Sequence, residues 1–140
     1  MRNYWGRRAA GIAFICQNDS TVLLVKRSQN VNEPGTWGLP GGRVEPGEHP
    51  FTAAVREVEE ELGSAPEGVV QDAHVFQDRG FEYTTYYILI SPLVKARWTP
   101  TIVLNWENDE AGWFYVGDLP EPLHFGIESI REDLEMIAGV

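Results

Sequence analysis

Three glutamates, Glu57, Glu60 and Glu61, stand at i, i+3 and i+4 within the run Pro-Phe-Thr-Ala-Ala-Val-Arg-Glu-Val-Glu-Glu-Glu-Leu. Residues three and four apart are neighbours on an α-helix surface, so in a helix these carboxylates share one patch and repel one another. A solvated acidic face ordinarily intersperses Lys and Arg, yet the one cation in this run is Arg56, immediately before Glu57. Such a patch calls for cations. Hard carboxylate oxygens suit Mg²⁺, with Mn²⁺ as a substitute, far better than zinc, and Mg²⁺ keeps part of its coordination shell for water and phosphate oxygen. The chain has one cysteine and no clustered histidines, the donors that zinc favours.

The elements that must position these groups are legible around them. Phe51, Ala54, Val55, Val58 and Leu62 fall on one stripe of a helix over residues 50–62, which is its buried face. Pro50 suits the first helical position, His49 is placed to cap it, and Gly63 is the stop. The glycines ahead of it, Gly41 and Gly42, let a loop backbone come close to a metal and to phosphates. Strands are expected at residues 8–16 and 21–27, then after the helix at 69–78, 82–91 (closed by Pro92) and 112–117, with a last helix over 125–138 carrying Ile127, Ile130, Leu134 and Ile137 on one face. Strands in this order between two helices predict an α/β domain, a mixed β-sheet sandwiched between helices.

The spacing Gly42, five residues, Glu48, seven residues, Arg56-Glu57-Val58, one residue, Glu60-Glu61, one residue, Gly63 resembles the signature box of the MutT-like Nudix hydrolases. Trp37 to Gly42 resembles the family's entry into its catalytic loop, and Trp113-Phe114 with Asp118-Leu119-Pro120 its late strand and turn. The departure is Ser64, where the family usually has an aliphatic residue. The resemblance implies the α/β/α sandwich of the Nudix fold and Mg²⁺-dependent hydrolysis of the pyrophosphate bond in a nucleoside diphosphate joined to a further group. It assigns metal ligation to Glu57, Glu60 and Glu61, with the carbonyl oxygen of Gly41 as an extra ligand, and makes Arg56 and Glu48 a supporting pair. Arg56 would orient carboxylates by charge-assisted hydrogen bonds. The general base is Glu57 or an acid from the later loop over residues 105–110, where Glu110 is preferred to Glu107 as nearer the Trp113 strand.

Arg27 at a strand end and Arg43 just inside the box are candidates to reach phosphate oxygens. Trp37, Phe81, Tyr83 and Trp106 are candidates to stack on a base. His74 and His124 lack metal-site spacing and are read as structural.

A chain of 140 residues with 43% hydrophobic residues is one domain's worth of material, a single unit over residues 1–140. Its net charge of −10, with 21 acids against 11 bases, disfavours a long nucleic acid, which needs a basic face; a small phosphorylated substrate can be met locally by metal and an arginine or two. Arg7-Arg8 before the apolar residues 9–16 imitates a secretory signal, but the run is short and passes straight into the turn cluster Gln17-Asn18-Asp19-Ser20. The lone Cys16 reads as a core residue in a reducing compartment, so a cytoplasmic protein, monomer or homodimer, with no membrane partner is expected. Within the hydrolase reading, a nucleoside triphosphate leads, with ADP-ribose, other nucleotide sugars or dinucleotides as the alternative. A non-catalytic nucleotide-binding Nudix module is the second alternative, disfavoured because every box carboxylate is present.

Overall fold

The computed structural model describes residues 7–140; the first six, which the single-domain expectation includes, lie outside the described residues. Strand β1 (Arg7–Cys16) is the centre of the sheet because it is apolar at both parities. Ala10, Ile12 and Phe14 join the buried cluster on one face, while Ala13 and Ile15 join the cluster on the other. β2 (Thr21–Arg27) repeats the device, with Leu23 and Val25 on the first face and Val22 and Leu24 on the second.

β1 runs antiparallel to β2, with Ile15 opposite Val22, and antiparallel to the short β4 (Gly41–Arg43), with Gly11 opposite Gly41. It runs parallel to β6 (Phe81–Leu89) from Arg7 opposite Phe81 to Ile15 opposite Leu89. β5 (Val69–Asp78) forms the edge beyond β6, and β3 (Trp37–Gly38) and β7 (Asn108–Tyr115) both pair with β2. The β2–β7 ladder is regular from Thr21 opposite Tyr115 to Lys26 opposite Glu110, then shifts so that Arg27 faces Asn108 and Asp109 is the extra residue of a bulge.

Helix α1 (Pro50–Leu62) buries Ala53, Ala54, Val58 and Leu62 against the first face. Truncating a buried leucine such as Leu62 to alanine costs about 2–5 kcal/mol. His49 caps the helix, its Nδ1 accepting from the Phe51 N–H at 3.0 Å, and Gly63 ends it with φ +90°, a left-handed conformation that favours glycine. The second face is covered by α3 (Phe125–Glu128) and α4 (Arg131–Ala138) through Ile127, Ile130, Leu134 and Ala138. The mixed sheet between helices is the architecture expected from sequence.

Three local differences have physical causes. Residues 92–98, expected to follow a strand stop, form α2 (Pro92–Trp98): the Ser91 hydroxyl accepts from the Val94 N–H at 3.2 Å and Pro92 takes the first turn. The expected terminal helix over 125–138 is two helices, broken at Ser129–Ile130, although Ile127, Ile130 and Leu134 still share one buried face. Ser64 departs from an aliphatic residue because its hydroxyl accepts from Trp98 Nε1 at 2.9 Å, tying α2 to the end of α1.

Candidate metal centre

The box helix presents its acids to the loop between α2 and β7, which packs on the same face of the sheet. Carboxylate oxygens of Glu57, Glu61 and Glu107 lie within 4.8 Å of one another. Glu61 is only 4% exposed, and its two oxygens have distinct partners: Oε1 accepts from Asn108 Nδ2 at 2.9 Å and Oε2 from the Gly41 N–H at 3.3 Å. Burial first, then the charge of Glu107, pushes the Glu61 carboxyl up to about 8, against the opposing pull of those two hydrogen bonds. Glu57 is also raised, by burial and by Glu60, with Arg56 opposing. A buried carboxylate crowded by two others is the donor set that a hard divalent cation relieves, so these residues fit such an ion.

Gly42 lies directly beneath Glu57. A Cβ there would sit 2.5 Å from Glu57 Cδ, so only glycine lets this carboxylate lie against β4. The end of α1 is pinned to the loop that follows α2: Val103 N–H donates to the Leu62 carbonyl at 2.9 Å and Asn105 N–H to the Glu61 carbonyl at 3.2 Å.

Arg56 is the hub of the supporting network. Its Nε and Nη2 grip the two oxygens of Glu48 at 2.9 and 3.1 Å, its Nη1 donates to Glu57 Oε2 and Glu60 Oε2 at 3.1 Å each, and Nη2 also donates to the Arg43 carbonyl at 2.9 Å. Hydrogen bonds from Arg56 hold the Glu48 carboxyl below its usual range, and Glu48 in turn raises the guanidinium.

The remaining candidates separate by place. The Glu60 side chain, 53% exposed, is held on Arg56 instead of joining the three clustered carboxylates. Of the two later acids, Glu107 meets the cluster, while Glu110 lies 3.6 Å from Lys26 on the exposed flank of β7. Glu107 lies in the turn just before β7, which docks on the end of α1, whereas Glu110 is within the strand opposite Lys26. Trp37 is not free to stack: it is 9% exposed and packs edge-on against Phe114 with ring centroids 4.8 Å apart, a tryptophan drawn into the core by its apolar area. Phe81 lies opposite Arg7, four residues along β1 from Gly11, or roughly 13 Å from the level of Gly41. Arg27 donates Nε to the Asn32 carbonyl at 2.6 Å, and Arg43 is exposed at the end of β4. The Tyr83 phenol is raised by burial first and by the nearby Glu61 second, with Arg27 opposing, which places all three in one electrostatic neighbourhood. Asn108, the amide on Glu61, was not singled out from sequence. His124 caps α3, its Nδ1 accepting from the Gly126 N–H at 3.1 Å, and burial lowers its pKa.

A depression of about 680 Å³ lined by Leu119, Pro122, Leu123 and Arg131 among others shares no residue with the carboxylate cluster. Chemistry, not cavity volume, locates the site.

A family model of the NUDIX domain matches residues 5–134. The chain belongs to the Nudix family. Among curated relatives, mouse diphosphoinositol polyphosphate phosphohydrolase 2 is 32% identical over 118 residues, covering 84% of this chain and 62% of that protein. This Nudix chain therefore spans less than two thirds of that relative's length. A MutT NUDIX hydrolase from Burkholderia pseudomallei superposes with a TM-score of 0.63 at 30% identity, over 90% of this chain and 95% of that one. The Nudix hydrolase RenU from M. smegmatis gives a TM-score of 0.75 at 25% identity, over 99% of this chain and 88% of that one. Among the described residues, no helix is long and apolar enough to cross a membrane.

Proposed function

We propose that this chain is a Mg²⁺-dependent pyrophosphohydrolase, with Mn²⁺ as a substitute, acting on a nucleoside diphosphate linked to another group, a nucleoside triphosphate first. The observation that carries the reading is the clustering of Glu57, Glu61 and Glu107 within 4.8 Å around a carboxylate that is 4% exposed. These three would hold the ion, with the Gly41 carbonyl beside them, and Glu60 would reach it from its place on Arg56. When bound, a divalent ion neutralises phosphate oxygens and lowers the pKa of a water.

The chain's own groups do the rest. Arg56 and Glu48 hold Glu57 in place and act as positioning residues. Glu57 Oε2 is already engaged by the Arg56 guanidinium at 3.1 Å, whereas Glu107 Oε1 accepts from the Asn105 amide at 3.0 Å. Glu107 is therefore assigned to take the proton of the attacking water, in place of Glu110. Arg27 and Arg43 are assigned to phosphate oxygens. A cytoplasmic monomer or homodimer with a small nucleotide substrate suits the acidic composition and the buried, unpaired Cys16.

The relatives' names favour a second reading, a diphosphoinositol polyphosphate as substrate. Against it stands the small number of cations for so many phosphates: Arg56 is taken up by carboxylates and Lys26 pairs with Glu110, which leaves Arg27 and Arg43 for phosphate oxygens. Incubating the chain with Mg²⁺ and a panel of nucleoside triphosphates, ADP-ribose, dinucleoside polyphosphates and a diphosphoinositol polyphosphate tests both. Monophosphate plus pyrophosphate from a triphosphate, lost in Glu61→Gln, is the expected result; no hydrolysis of any nucleotide overturns the first reading.

A further inference from the structure

Trp106 is 65% exposed, while Trp37 and Trp98 are each below 10%. Leaving an indole in water forfeits one of the largest hydrophobic gains a side chain offers, so its mount matters. The backbone on both sides of Trp106 is fixed. The Asn105 N–H donates to the Glu61 carbonyl at 3.2 Å, the Asn105 side chain accepts from the Glu107 N–H and donates to Glu107 Oε1, both at 3.0 Å, and the Glu107 carbonyl accepts from the Ser28 N–H at 2.9 Å. Exposed tryptophan on a floppy loop would lose binding energy to ordering; here that ordering is already done by bonds to the ends of α1 and β2. The mount is also adjacent to the chemistry, because the next residue, about 3.8 Å along the chain, is the Glu107 that meets Glu57 and Glu61.

We infer that Trp106 is the platform on which the planar base of the substrate stacks while its diphosphate lies against the glutamate cluster, making it a specificity-determining residue. This rests on the hydrolase reading above. It also narrows the substrate class: a base has a face for an indole, whereas an inositol polyphosphate has none.

The test uses the full chain with Trp106→Ala and Trp106→Phe, assayed with Mg²⁺ on ATP and dGTP and on ribose 5-triphosphate, which carries the same phosphates without a base. Trp106→Ala should raise KM for the nucleotides about tenfold with kcat nearly unchanged, leave KM for ribose 5-triphosphate unaltered, and be largely rescued by Trp106→Phe. Equal KM changes on both kinds of substrate, no change on either, or preferential hydrolysis of a diphosphoinositol polyphosphate overturns the inference. If the unmodified chain hydrolyses none of these, the hydrolase reading has failed, and stacking is then judged by tryptophan fluorescence: ATP should quench the unmodified chain and not Trp106→Ala, and identical quenching sinks it.

Discussion

The side-chain amide of Asn108 donates to Glu61 Oε1 at 2.9 Å in a contact where both residues are buried. A neutral donor aimed at one oxygen leaves the charge of Glu61 uncompensated while fixing its orientation, which suits a ligand waiting for a cation better than a salt bridge would.

Removing that donor should loosen the site without unfolding the chain. Asn108→Ala is expected to raise the Mg²⁺ concentration that half-activates hydrolysis by about 10–100-fold, the usual effect of losing a group that orients a ligand. A Mg²⁺ titration of initial rates on the variant checks it; an unchanged midpoint would remove Asn108 from the site.

The buried acid itself sets a pH signature in the metal-free protein. Glu61 keeps its proton up to about 8 when folded, against 4.5 for an ordinary glutamate, so the folded chain binds more protons through that window. Stability without metal should therefore fall as pH rises from about 4.5 to about 8, and Glu61→Gln should flatten the slope. Melting temperatures in EDTA across that range give the answer, and added Mg²⁺ should restore most of the loss at the alkaline end.

Arg56 binds three carboxylates and a carbonyl through a planar fork that an ammonium cannot reproduce. Arg56→Lys, although it keeps the charge, should lower kcat tenfold or more while circular dichroism stays native. Turnover equal to that of the unmodified chain would show that the network is ornamental to catalysis.

The two later acids make a direct contrast. Glu107→Gln should cost about 10²–10⁴ in kcat as the loss of a proton acceptor. Glu110→Gln, which breaks an exposed pair with Lys26, should leave kcat within twofold and stability within about 1 kcal/mol. Single-turnover rates for the two variants side by side decide the assignment.

How much of this was legible beforehand depended on whether the signal was local. The α1 helix declared itself through its apolar stripe, Pro50 and Gly63, and the carboxylates came with it. The order of strands between two helices likewise foretold a mixed sheet covered on both faces. Ser91-Pro92 carries a helix-start signal, but the same proline also closes a strand, and the second meaning prevailed in the reading of residues 82–91. Trp37 read as a stacking candidate because composition cannot distinguish a core tryptophan from a surface one. The choice of Glu107 over Glu110 depends on how the loop before β7 docks on the end of α1, and the part played by Asn108 on where β2 and β7 slip past each other, contacts between distant segments that neither segment spells out alone.

That slip makes one site in the chain acutely sensitive to length. Asp109 is not one of the three clustered acids, yet it is the spacer that turns the amide before it inward. Excising this single codon would give β7 a straighter, better-paired ladder and, by swapping which side of the pleat each preceding residue occupies, deliver a protein that folds well and cleaves nothing.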